Sequence, residues 1–127
     1  MEEAVQKLAV VSFLIIGLSH IFQPLVWIKF FIAIRERGET GAFINGFIHF
    51  PLGALIVAFH NEWQGIPLIL TLIGYGFILK GLICFCFPRL ALKSLERVSL
   101  EKSWEFVAGG IILTALGGLF LYSLINK

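Results

Sequence analysis

Four long apolar runs dominate the chain, at residues 4–22, 41–59, 66–87 and 104–125, and most of the charge falls outside them. Each run is near the roughly 20 residues a helix needs to cross the hydrocarbon of a bilayer. The pattern therefore predicts an all-α, polytopic membrane protein with four transmembrane helices. The connections have a pattern of their own. Pro24 can open a new helix, because its missing N–H costs nothing in a first turn. The segment 24–37 carries Trp27, Lys29, Arg35 and Arg37, and it reads as an interfacial helix at the headgroups. Pro88 opens a second such stretch, with Ala91, Leu92, Leu95 and Val98 on one face at helical spacing and Arg89, Lys93, Glu96 and Arg97 on the other.

Local signals refine these elements. Thr40 and Ser103 are candidate N-caps for the second and fourth spans. Pro51, inside the second span, predicts a kink and a freed carbonyl at Phe47. The link at 60–65 is polar, and His60 in it is expected at a wet interface.

The pattern also repeats. Laying residue n on n+64 superposes Gly17 on Gly81, Pro24 on Pro88, Lys29 on Lys93, Gly46 on Gly110 and Gly53 on Gly117, within hydropathy profiles of the same shape. Each unit reads as span, amphipathic helix, span, so the chain is one membrane domain of two units, 4–63 and 68–127. A unit with two spans returns to the side it left, which makes the two copies parallel, related by an axis along the membrane normal. The asymmetries are then the places to look for function: Ile16 faces Lys80, His20 faces Cys84 and His49 faces Leu113.

Composition agrees. Of 127 residues, 58% are hydrophobic and 14% charged, none is Asp, and the mean hydropathy is +0.93. Soluble domains carry nearer a quarter charged residues. There is room for four spans and no soluble domain. The acidic start of the chain differs from a secretory leader, so the first span is expected to be retained. Cys84 and Cys86 lie two apart in an apolar run and point in different directions on a helix, so no disulfide is expected.

Charge sets an orientation. Lys29, Arg35, Arg37, Arg89, Lys93, Arg97 and Lys102 fall in the two connections, whereas Lys7 and Lys127 fall on the other side. The basic connections should be cytoplasmic and both termini outside, in a bacterial inner membrane. Trp27 and Trp104 then sit at the inner interface. The net charge of +2 excludes a nucleic-acid footprint.

Chemistry is sparse. Lys80 is the one charge well inside a span, which makes it a functional candidate by default, with snorkelling to the headgroups or pairing with Glu105 as the structural alternative. His20, Asn45 and His49 form a second polar set, with Asn45 and His49 on one helix face. Their use is expected to be interhelical hydrogen bonding, with His49 filling the gap opened at Pro51. Depths along the helices do not match for a haem held by two histidines, and no metal spacing, phosphate loop or hydrolase motif is present, so no cofactor, no metal and no catalytic residue is expected.

The fourth span holds Gly109, Gly110, Thr114, Gly117 and Gly118, of which Gly110, Thr114 and Gly118 are four apart. Small residues at that spacing let helix backbones approach, so this is the expected packing face. Gly81-Leu82, then Pro88 with its basic stretch, then residues 109–113 and 117–122, together resemble small uncharacterised bacterial inner-membrane proteins of two or four spans, a resemblance that implies no activity. The four-span size is also similar to that of the small multidrug exporters, but a carboxylate buried in the first span is missing here. The expected function is that of an accessory or assembly subunit, not an enzyme, with the bilayer and other membrane subunits or further copies of itself as partners. The alternative is a small transporter or pore with a polar site around Lys80, His49 and Glu105.

Overall fold

The first apolar run forms α1 (Glu2–Phe22), which buries Val5, Ala9, Phe13 and Gly17 along one stripe, four residues apart. Gln23 ends it, and Pro24 occupies the first turn of α2 (Pro24–Glu36), where a missing N–H is harmless. Then follow α3 (Glu39–Phe59), α4 (Pro67–Cys86), α5 (Pro88–Leu95), a 3-10 turn (Leu100–Lys102) and α6 (Ser103–Ile125). This computed structural model describes residues 1–126, and no strand occurs among them. Lys127, counted above with Lys7, lies outside the described residues. The helices α1, α3 and α4, and α6 with the turn before it, are long and apolar enough to cross a membrane, and both cysteines are free.

Two local expectations change. Gly38, with φ of 62°, precedes α3 and places Thr40 inside the first turn, without a side-chain cap. The 3-10 turn closes with Lys102 N–H on Ser99 O at 3.1 Å and moves the cap of α6 to Lys102, so Ser103 is already helical. α3 runs unbroken past Pro51.

The helices associate in two tight pairs, α1 with α6 and α3 with α4. Glycine makes each pair possible. A Cβ at Gly17 would lie 2.7 Å from the Thr114 backbone nitrogen, and one at Gly110 would lie 2.6 Å from Gly17 O. In the other pair, a Cβ at Gly53 would lie 2.9 Å from the Ile78 nitrogen, and one at Gly81 would press on Phe50. Such approach replaces the hydrophobic driving force that lipid does not supply. The contacts recur at an offset of 64: Gly17 meets Thr114 while Gly81 meets Phe50, and Gly110 meets His20 and Ile21 while Gly46 meets Cys84 and Phe85.

The packing face of α6 is therefore Gly110, Thr114 and Gly117, the last set against Leu14. Gly109 and Gly118, expected on that face, have open space where a Cβ would be. The reason is angular: one residue turns a helix position by about 100°, so Gly117 faces α1 and Gly118 does not.

Two clusters of buried residues form, and the first joins the pairs. Val5, Ala9, Val10, Phe13, Ile56, Leu70 and Phe120 form a core contributed by all four long helices, and Ala42, Cys84 and Ala91 form a smaller one linking α3, α4 and α5. At the end of this second cluster Arg35 donates from Nη1 to the carbonyls of Leu95 and Val98, at 3.2 and 2.9 Å. It receives the orphan carbonyls where α5 stops and ties α2 to α5, so both proline-headed connections lie at one end of the bundle.

Replacing Gly17 or Gly110 by Leu should destabilise the fold by about 3 kcal/mol, the upper end of overpacking costs, because backbone lies in the way. Gly118→Leu should cost the detergent-solubilised protein far less, because nothing in the fold lies in its way. Equal loss in all three would refute this packing arrangement.

Candidate functional site

Polar side chains gather at three places. The first lies between α3 and α4. His49 Nδ1 is 3.0 Å from Asn45 O, one turn back, and a carbonyl can only accept, so Nδ1 carries the proton. Nε2 is then the acceptor, and Lys80 Nζ donates to it at 3.2 Å. The expected partner of Lys80 was Glu105, but Glu105 accepts from Arg97 Nη2 at 3.4 Å. Helix pairing explains the difference, since Lys80 is on the α3–α4 pair and Glu105 on the α1–α6 pair. His49 likewise bonds to Asn45 O and not to the Phe47 carbonyl that Pro51 was expected to free. Asn45 is 2% exposed, and its Oδ1 has no hydrogen-bond partner.

The second place is the start of α2. Trp27 donates from Nε1 to Ser19 Oγ at 2.8 Å, and its ring stacks on His20 with centroids 4.2 Å apart. His20 donates from Nδ1 to Ile16 O at 2.8 Å. Trp27, expected at the inner interface, is half-buried and packs its ring against α1. Trp104, by contrast, is exposed. Of the basic interfacial residues, Lys29, Arg37, Arg89, Lys93, Arg97 and Lys102 are exposed, whereas Arg35 is half-buried in its contact with the end of α5.

The third place is at the opposite end, and the sequence reading missed it. His60 is fully buried, not wet. Thr71 Oγ1 donates to Glu62 O at 2.7 Å, so it accepts from His60 Nδ1 at 2.9 Å, and His60 Nε2 in turn accepts from Gln6 Nε2 at 3.0 Å. Gln6 and Thr71 are themselves buried. The loop between α3 and α4 folds back over the bundle end and is held there by this chain of bonds. The one signal in the sequence is Gln6, a polar residue beside the stripe of Val5, Ala9 and Phe13.

Cavities connect the first two groups. His20 and His49 both line an interior space of about 260 Å³ between the helix pairs, with Ser12 and Leu113. Asn45 and Lys80 line a separate groove of about 520 Å³ with residues of α5. Thus Asn45, His49 and Lys80 come together, while His20 stands across the interior cavity and Glu105 belongs to neither space. Among the described residues no group of His, Cys, Asp and Glu is placed to hold a metal.

The chain is similar to a phospho-N-acetylmuramoyl-pentapeptide-transferase of Synechococcus sp. (strain JA-3-3Ab), with 28% identity over 97 residues. That stretch covers 75% of this chain and 28% of the transferase, so the chain spans little more than a quarter of the relative's length. No family model matches, and no solved structure does either.

His60→Ala should cost about 3 kcal/mol, since it leaves the Gln6 and Thr71 side chains buried without each other's link. Thermal unfolding in a mild detergent measures it. Thr114→Val should be close to neutral or stabilising, because the Thr114 hydroxyl is buried without a partner.

Proposed function

We propose that the protein is a small accessory or assembly subunit of a membrane, acting by helix packing within a larger complex or as a homo-oligomer. The carrying observation is that α6 uses one side only. Gly110, Thr114 and Gly117 are spent on α1, while Gly118 has open space at its Cβ position and Ile111, Ala115 and Tyr122 are exposed around it. The span containing α6 is also the least buried of the four. Small residues on an outward face leave lipid little to pack against and give a second helix a place to approach. The similarity to part of a longer membrane enzyme is compatible with a chain that works beside other subunits, and no transfer chemistry is carried over from that relative.

In this reading the chain is two parallel units, supported by the offset of 64 in the glycine contacts. The basic connections face the cytoplasm of a bacterial inner membrane and both termini lie outside, which rests on the distribution of Lys and Arg. The proline-headed helices lie at the inner headgroups.

One observation favours the second reading, a small transporter or pore. His49 lines the interior cavity and hydrogen-bonds Lys80, which lines the groove, so a polar link joins the two spaces. Glu105, the third residue of that site as first conceived, is not part of it.

Mass determination of the full chain extracted in native lipid or mild detergent tests the first reading. An assembly heavier than the monomer is expected, and Gly118→Leu should reduce it to monomer without loss of fold. A wild-type monomer with no partner would sink the proposal, and a proteoliposome flux abolished by Lys80→Leu would establish the alternative.

A further inference from the structure

The groove of about 520 Å³ is bounded by α3, α4 and α5, and its lining divides by chemistry. Lys80, Lys93 and Arg97 bring three cations to it, and no carboxylate is among its lining residues. Lys80 uses one of its N–H groups on His49, a neutral acceptor, which leaves two donors and its full charge. Arg97 has a partner in Glu105, at 3.4 Å and on an exposed side chain, a contact worth little. The apolar part of the lining is Leu79, Ile83 and Leu90. Gly76, one turn before Lys80, has open space at its Cβ position, so the groove continues along α4 toward the middle of the span.

Two features make this more than a basic surface. Asn45 lines the groove, is 2% exposed and carries an Oδ1 without a partner. That oxygen is closed to solvent, so the amide acts on the groove as a fixed dipole in its wall and not as a direct ligand contact. Lys80 lies six residues before the end of α4, about 9 Å along the axis, at a depth where an ammonium needs an anion or water. A soluble anion would leave the apolar wall unused, and a neutral lipid would leave three cations unused. Basic pockets between membrane helices recognise lipid headgroups by this combination.

We propose that the groove is a binding site for an anionic phospholipid. The phosphate sits among Lys80, Lys93 and Arg97, and a hydrocarbon chain runs along Leu79 and Ile83 past Gly76. Positive charge at the mouth draws the headgroup in, and charge-assisted hydrogen bonds hold it.

Native mass spectrometry of the full chain in mild detergent tests this with phosphatidylglycerol, phosphatidylcholine and soluble glycerol 1-phosphate as probes. Phosphatidylglycerol should remain bound and phosphatidylcholine should not. Lys80→Gln and Lys93→Gln should each weaken phosphatidylglycerol about tenfold, the loss of one charge-assisted hydrogen bond. Lys29→Gln, at the same end of the bundle but outside the groove, should leave it unchanged. Equal loss with Lys29→Gln would reduce the effect to general electrostatics and overturn the site. Equal retention of phosphatidylcholine, or binding of glycerol 1-phosphate as tight as that of the lipid, would overturn it as well. A circular-dichroism melt of each variant separates misfolding from lost binding, and a folded Lys80→Gln that still binds fully refutes the proposal.

Discussion

Everything in this structure depends on how closely two pairs of helix backbones can approach. Lipid gives apolar side chains no reason to leave it, so association must come from dispersion contacts and interhelical hydrogen bonds. Gly17 and Gly110 supply the first for α1 and α6, and Gly53, Gly74 and Gly81 supply it for α3 and α4. Pairing first with last and second with third sets where every polar residue ends up. It puts Lys80 beside His49 and leaves Glu105 to Arg97. It also opens the interior space between the pairs, because each pair is sealed on its own.

The two ends of the bundle solve the same problem differently. At the end of α1's first turns, the loop after α3 is held by neutral groups, Gln6, His60 and Thr71, each bonded in a fixed direction and excluded from solvent. Such a network is strong when complete and costly when broken. At the other end the ties are cationic. Arg35 binds the carbonyls where α5 stops, and the remaining basic residues stay exposed. The first end is closed by its own hydrogen bonds, while the second keeps donors available to whatever the membrane presents.

Much of the fold was legible because its signals are local. Pro24 and Pro88 start helices through a property of their own ring, and four apolar runs of the right length give four long helices without knowledge of neighbours. What failed depends on what meets what. Thr40 and Ser103 have good capping side chains, but Gly38 and a 3-10 turn moved the caps back by two residues and by one. Gly118 fits the four-residue spacing better than Gly117, yet the rotation of α6 against α1 selects Gly117. His60 in a polar loop looked wet, and only the fold-back of that loop onto Gln6 buries it. Lys80 was conspicuous as a lone charge in a span, but its partner was decided by the helix pairing.

That last residue also shows why the asymmetry between the two halves matters. The residue 64 positions before Lys80 is Ile16, and the one 64 positions after His49 is Leu113, so the pair of helices α1 and α6 has apolar groups where α3 and α4 have an ammonium and an imidazole. A lysine that only reached for the headgroups would need no imidazole with its acceptor nitrogen turned toward it. His49 is turned by its own bond to Asn45 O, and the same Asn45 leaves Oδ1 unpaired beside the groove. Lys80, His49 and Asn45 are therefore one arrangement, built in the α3–α4 pair and absent from the α1–α6 pair. It satisfies each member in part and leaves the remaining Lys80 donors for a ligand to complete.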